Sequence, residues 1–592
     1  MKSSFFKIYS LLTPEKRRAA MILLGFIILG TMLEVLGVGL LLPVMVIMID
    51  DNLGSSYPVV QPLLDMLGNP DQVALVKFIM VTFVVVYLGK NLYLAFLAWW
   101  QARFSVGLQV DTGQRLFKLY LRQAYHFHLQ RNSAELLRNI TGEVAHFIAY
   151  AVNPMLMLVA EVLVLLSIVA LLLLVEPTGS LIVFMVLSVA ALLFYGLMRS
   201  RVSRWGEIRL YHEGQRIQQL QQGLGAVKDV LLLGRESGFL ASFKEHNSKS
   251  GKMLQFLEVL QKIPRLWLEL LAVVGVALLV LIMLSRGREI SGIVPTIGLF
   301  AAAAFRLMPS VNRILEAVQS LRYGIAATNN LYDDFLLEVK DVAEDKSVRE
   351  ELNSGLLSRE IRLNGIGYNY TDTVTPALVE VSLDIQRGES VGFIGSSGSG
   401  KSTLIDIILG LLQPGSGQVL VDGNDIRDNI RGWQDQIGYV PQSIYLTDDT
   451  MRRNIAFGLG ESEIDDAAVT QAIRAAQLED FVETLANGVE TKVGERGIRL
   501  SGGQRQRIGI ARALYHDPAV LDEATSALDT STEKEVMRSI RALHGIKTVI
   551  IVAHRLSTVE HCDRLYRLDQ GRIIDQGDPG DLIPASGNRA NV

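Results

Sequence analysis

A single cysteine, Cys562, stands among 592 residues, so no internal disulfide can form and a disulfide-built scaffold is excluded. The 9 histidines share no metal-ligand spacing with it, which removes structural zinc modules as well. The lone thiol is expected to be inert packing. Proline is sparse at 16 residues and the 51 glycines follow no period; with 49% hydrophobic residues, this excludes collagen-like, low-complexity and disordered chains. An excess of one charge is also missing, since the formal net charge is −4. That balance conceals two unlike halves, with 30 basic against 20 acidic side chains up to residue 330 and 27 against 41 beyond it. At roughly 100 to 200 residues per domain, such a chain divides into more than one unit.

What the first half has is apolar length. A bilayer core about 30 Å thick takes about 20 apolar residues in helix, because lipid tolerates no unpaired backbone groups. Six stretches qualify: 20–49, 73–100, 146–175, 179–198, 257–284 and 292–314. Lys16, Arg17 and Arg18 precede the first run, which is too long for a signal peptide and lacks a small-residue cleavage site. The N-terminus and the connections 101–145 and 199–252 are rich in Arg and Lys, whereas the connection after the first span carries Asp50, Asp51, Asp65 and Asp71. By the positive-inside rule the N-terminus and the second half are expected in the cytoplasm, with the spans in the inner membrane. Two segments in these basic connections have helical spacing. Ser133 is placed to cap 134–138, and Leu224, Val227, Val230 and Leu231 lie between Gly223 and Gly234. Both are candidate docking helices for the second half, or else solvated helical extensions.

Beyond a charged linker at 331–355 the pattern changes. From 356 to 592, short β-branched runs alternate with amphipathic stretches, as in a parallel α/β domain. Ser390 to Ile394 reads as a buried strand, and it leads into Gly395, Ser396, Ser397, Gly398, Ser399, Gly400, Lys401, Ser402 and Thr403, with an apolar helix behind. This strand, glycine-rich loop and helix form the context of a P-loop. Glycines let backbone N–H groups wrap phosphate, the helix N-terminus adds partial positive charge, Lys401 reaches the β and γ oxygens, and the Ser402 hydroxyl ligates Mg²⁺.

A second constellation follows: Ser501-Gly502-Gly503-Gln504, then Leu521-Asp522-Glu523, then Ala553-His554-Arg555. With these motifs the whole chain resembles an ATP-binding cassette exporter of the half-transporter type. The resemblance implies a six-span helical membrane domain of the type I exporter fold at 1–330, fused to an α/β P-loop domain at 356–592. It implies ATP and Mg²⁺, with Tyr370 stacking on adenine in preference to Tyr368. Gln442 would sense Mg²⁺ and face the membrane domain, Asp522 would hold the metal through water, Glu523 would act as general base, and His554 would contact the γ-phosphate. The Ser501 to Gln504 turn would close on ATP held by a second copy's P-loop, so a homodimer is implied.

One feature departs from the family pattern. Asp517-Pro518 is followed by only Ala519, Val520 and Leu521 before Asp522, so this strand is expected to be two residues short. Either the helix end moves inward or hydrolysis is impaired, which leaves a non-hydrolysing, ATP-gated membrane protein as the alternative from another class. For cargo, ionisable groups within apolar spans mark functional surfaces. Lys90, Arg265, Arg306 and Arg313 are candidates for a cationic wall; Glu34, Glu161 and Glu269 are candidate counter-charges. The segment from Phe305 to Ile314 is similar to flippases of lipid-linked oligosaccharides. That likeness implies a polyprenyl-diphosphate-linked glycan as substrate, the alternatives being a lipid A precursor, a peptide or a drug. Nucleic-acid work is disfavoured by the spans and by the acidic second half.

Overall fold

The computed structural model describes residues 2–39, 72–175, 177–285, 290–337, 357–371, 373–523, 544–552 and 556–582. They form two compact units, one of Met1–Gln123 with His128–Val339, the other of Ala124–Phe127 with Lys340–Val592.

The first unit is helical: α1 (Lys2–Leu11), α2 (Pro14–Gly39), α3 (Gln72–Leu121), α4 (Tyr125–Gln130), α5 (Ser133–Arg138), α6 (Asn153–Val175), α7 (Pro177–Gly225), α8 (Val227–Leu232), α9 (Glu236–Ser285), α10 (Ile290–Tyr323) and α11 (Ile325–Phe335). The tip of α4 belongs to the second unit. At 1.5 Å per residue the 50 residues of α3 run about 75 Å, more than twice a bilayer core. Such helices must continue into water. Among the described residues Pro14–Gly37, Lys77–Leu121 and Ser133–Ala170 are long and apolar enough to cross a membrane; the three remaining expected spans lie within α7, α9 and α10. Apolar side chains such as Val81, Val84, Val85 and Leu88 face outward, the reverse of a water-soluble bundle. The α11 helix runs to Phe335, so regular structure extends past residue 330.

Between α5 and α6 the chain winds into two π-helical turns, Asn139–Glu143 and Ile148–Val152. Such turns re-aim side chains along a helix, and here Asn139 and Glu143 are fully buried. Asn139 donates to Asp334 Oδ2 at 2.8 Å, while the Glu143 carboxylate accepts both Arg209 Nη groups at 3.1 and 2.9 Å. Both candidate docking segments are helical and lie within the first unit: 134–138 falls in α5, while in the segment between Gly223 and Gly234 Leu224 lies at the end of α7 and Val227, Val230 and Leu231 lie on α8. The cap differs from expectation: Asn132, not Ser133, accepts from Ala134 N, because its side-chain carbonyl reaches two residues ahead.

The second unit holds two sheets. β1 (Glu360–Tyr368), β2 (Leu378–Gln386), β4 (Ser416–Val421) and β5 (Asn424–Asp425) form one, in the order β2-β1-β4-β5. The other runs β10-β9-β3-β8-β7-β6, built from β3 (Ser390–Ile394), β6 (Ile437–Val440), β7 (Val520–Glu523), β8 (Thr548–Val552), β9 (Arg564–Asp569) and β10 (Arg572–Gly577). Strands β9, β3, β8, β7 and β6 are mutually parallel, so their carboxyl ends share one edge, the place where open α/β sheets bind ligands. Cys562 is buried in the core, and burial pushes its thiol up to about 12, as expected of an inert packing residue.

Candidate functional site

The glycine-rich loop leaves β3 at that edge and enters α12 (Lys401–Ile408). Two glycines are required by space. A Cβ on Gly395 would sit 2.2 Å from Leu568 O, and one on Gly400, which has φ of +103°, would sit 2.6 Å from Ala377 O. Gly400 caps α12 with no side chain, which leaves the first-turn N–H groups for an anion. Lys401 is 6% exposed. Its ammonium donates to Gly395 O at 2.7 Å, Ser396 O at 2.9 Å and Ser399 Oγ at 3.3 Å. These three oxygens arch the side chain back over the loop, and burial lowers its pKa. Ser402 is exposed on the first turn. Tyr370 reaches the same turn, its hydroxyl 3.1 Å from Thr403 Oγ1, with Tyr368 edge-on to it at 5.0 Å.

Strand order brings the distant motifs together. β8 lies between β3 and β7, and β7 between β8 and β6. Asp522 pairs with Tyr439 and Ile550, and Glu523 with Val440 and Ile551. Gln442 follows Val440 by two residues and is exposed. The side chains of Asp522 and Glu523, and the whole of His554, lie outside the described residues; the backbone of Asp522 and Glu523 closes β7. The donors offered to a metal, from Ser402, Gln442 and Asp522, are all hard oxygens, which suits Mg²⁺.

The short strand is accommodated. Asp517 adopts φ of +50° at the end of the preceding helix, and Lys547 holds its carboxylate at 2.8 Å. Pairing begins immediately after Pro518: Ala519 N and Val520 N donate to Gln436 O at 2.9 and 3.1 Å, and Thr548 N donates to Ala519 O at 3.0 Å. The four residues of β7 match the four of β6 and pair along both edges. All four residues of β7 are thus paired in spite of the short lead-in, which removes the ground for a non-hydrolysing protein.

Ser501 caps α13 (Gly502–Leu514). Its hydroxyl accepts from Gln504 N at 3.2 Å, and its own N–H donates to Gln504 Oε1 at 2.8 Å. This reciprocal box commits the Gln504 side chain to holding the turn. Among the described residues a Cβ added at Gly502 would meet nothing within 4 Å, so the tip is open to them, and Gly503 is buried. Among the described residues no hydrogen bond joins this turn to the 395–403 loop.

A family model for ABC transporters matches residues 378–526. An ATP-dependent lipid A-core flippase of Cupriavidus pinatubonensis is 30% identical over 490 residues, 81% of this chain and 80% of the relative. The chain belongs to the ABC transporter family. A second such flippase, from Thiobacillus denitrificans, is also 30% identical, over 84% of each chain. A solved bacterial Atm1-family ABC exporter with ATP bound superposes with a TM-score of 0.76 over 96% of both chains at 24% identity. This exporter therefore has the type I fold and is an ATPase coupled to transport.

Asp406 carries no motif in the sequence, where it is one acid inside an apolar helix. Its carboxyl is pushed up to about 6 by burial, near Tyr368, Tyr370 and Tyr125. Between its ordinary value of 3.8 and about 6 the folded chain keeps a proton that the unfolded chain has released. Stability therefore falls as pH rises through that window and stays lower above it. In this exporter Asp406→Asn is expected to raise the thermal midpoint at pH 7.5 but not at pH 4, by the equivalent of on the order of 1 kcal/mol after allowing for residual solvent. An equal change at both pH values would contradict this.

The four basic residues proposed for cargo are not equivalent. Arg265 is paired with Glu269 at 3.0 Å on its own helix, and Arg313 with Glu161 at 2.9 Å. For these two residues the candidate counter-charges Glu269 and Glu161 are the partners, supplied by helical spacing and by close packing of α6 against α10. Lys90 lies over the Tyr87 ring, 4.4 Å from its centroid. Arg306 is in α10, and its side chain lies outside the described residues.

Proposed function

We propose that this exporter is a homodimeric flippase of the inner membrane that drives an anionic glycolipid of the lipid A-core kind across the bilayer, with its N-terminus and ATP-binding unit in the cytoplasm. The carrying observation is that similarity to lipid A-core flippases extends over 81% of the chain, membrane half included, since the cassette alone says nothing of cargo. The Ser501 turn is an open anion site, and among the described residues no phosphate loop of its own chain is bonded to it. That arrangement favours a second copy whose P-loop brings the nucleotide.

In this reading Lys401 leaves its loop carbonyls for the β and γ oxygens, and the loop and first-turn N–H groups hold the remaining phosphate charge. Bound Mg²⁺ would neutralise charge between the β and γ phosphates, held by Ser402, Gln442 and Asp522. Glu523 takes a proton from the attacking water, His554 donates to the γ-phosphate, and Tyr370 supports the adenine. Phosphoryl transfer asks for alignment and charge compensation, and the shared edge of β3, β8 and β7 supplies the alignment.

The expected result is that vesicles containing the purified protein flip a lipid A-core glycolipid with Mg-ATP, and that this cargo stimulates turnover. A polyprenyl-diphosphate-linked glycan offers the same combination of anionic link and long tail. If it alone stimulates turnover, the lipid A assignment is wrong and the oligosaccharide reading stands. If neither does, the glycolipid reading is lost.

A further inference from the structure

Beside the ends of the fourth and sixth spans, α7 and α10 part to leave an open crevice of about 270 Å³. Its walls are apolar, with Phe194 and Val202 from α7 and Leu315 from α10. Within it stand Arg199, Gln319 and Arg322, and no carboxylate lines it among the described residues. Gln319 is only 6% exposed, yet neither atom of its side-chain amide makes a hydrogen bond among the described residues, and neither does the buried Nε of Arg322. Leaving such groups buried and unmatched opposes folding. Arg322 is nevertheless fixed from its other end: Nη2 donates to the Tyr195 hydroxyl, and the guanidinium lies 5.5 Å from the centroid of that ring. A pre-positioned guanidinium, an amide and a second arginine form a donor set for phosphate oxygens.

We propose that this crevice binds the phosphate head group of an anionic membrane lipid that is held, not transported. Arg199 is exposed at the edge of the crevice and Gln319 is buried within it, so a head group would enter while its acyl chains lie outside. The chains have a surface of their own, because Leu192, Leu193 and Leu197 project outward from α7 at 69%, 64% and 60% exposure, just before Arg199. Exposed leucines followed within one helical turn by arginine match the boundary between hydrocarbon and head groups. The inference rests on α7 and α10 spanning the bilayer; it does not depend on the identity of the cargo.

The test is native mass spectrometry of the full-length protein in detergent, presented with equal amounts of phosphatidylglycerol and phosphatidylcholine. Wild type is expected to retain phosphatidylglycerol at least five-fold over phosphatidylcholine, and Arg199→Ala with Arg322→Gln to lose that preference. Gln319→Leu should lower retention while raising the thermal midpoint, since it removes an unmatched amide; a purely structural Gln319 would lower the midpoint. Equal retention of the two lipids, or equal retention by wild type and the arginine variant, would overturn the site. Inorganic phosphate raising the midpoint as much as phosphatidylglycerol at equal concentration would overturn the lipid as its source. Retention is read without ATP or cargo, so failure of the glycolipid assays leaves this result standing, and failure here leaves the flippase reading standing.

Discussion

Glu523→Gln is expected to slow ATP turnover by about 100-fold or more while ATP still binds. A positioned general base contributes about 10² to 10⁴ in rate, and glutamine keeps the shape of the side chain but cannot take the proton. Binding should survive because the phosphate cradle belongs to other residues: the loop and first-turn N–H groups and Lys401, which lies on α12 and not on β7. The register supports the same separation. Glu523 is the last residue of β7 and pairs with Val440 and Ile551, so the substitution leaves the backbone ladder unchanged. Steady-state phosphate release and binding of a fluorescent ATP analogue, measured on the same preparation, check both halves. A variant that retains a tenth or more of wild-type turnover would refute the assignment of the base.

The second large effect lies in the first unit. Arg209→Met is expected to destabilise the protein by about 3 to 5 kcal/mol, because it strands a buried carboxylate. Glu143 has no exposed surface, and its two oxygens take both Nη groups of Arg209, while Glu213 lies 2.8 Å from the same guanidinium. Replacing Glu143 as well, by leucine, should recover most of the loss, since an apolar pair of similar volume avoids the desolvation cost. Denaturation of the two variants beside wild type measures this, and equal midpoints for Arg209→Met and wild type would mean that the buried pair contributes nothing. Burial alone would raise the Glu213 pKa, but His146 at 3.6 Å and the charge of Arg209 outweigh it and hold the carboxyl down to about 2. Its stabilising contribution is therefore complete above its ordinary value of 4.5 and is lost as pH falls toward about 2.

Local chemistry made the nucleotide loop readable. Gly395 and Gly400 stand where a Cβ would strike backbone carbonyls, and a lysine and serine must open the next helix for the loop to hold phosphate. The helical lengths of the membrane half were readable for a similar reason, because lipid demands continuous apolar helix whatever the neighbours are. Asp406 is invisible at that level because its raised pKa comes from burial, which only the folded packing supplies. The short β7 gave the wrong warning: a strand's adequacy depends on its partners, and β6 is equally short.

Residue order alone therefore determined the apolar spans, the phosphate loop and the capped Ser501 turn, each of which depends on contacts within a few residues. The tertiary structure decided that β8 separates β3 from β7, that Asn139 and Glu143 turn inward at π-helical turns, and that Arg313 pairs with Glu161 while the amide of Gln319 is unmatched among the described residues. Those outcomes depend on which segments become neighbours, and the neighbours are chosen by packing and strand pairing across hundreds of residues.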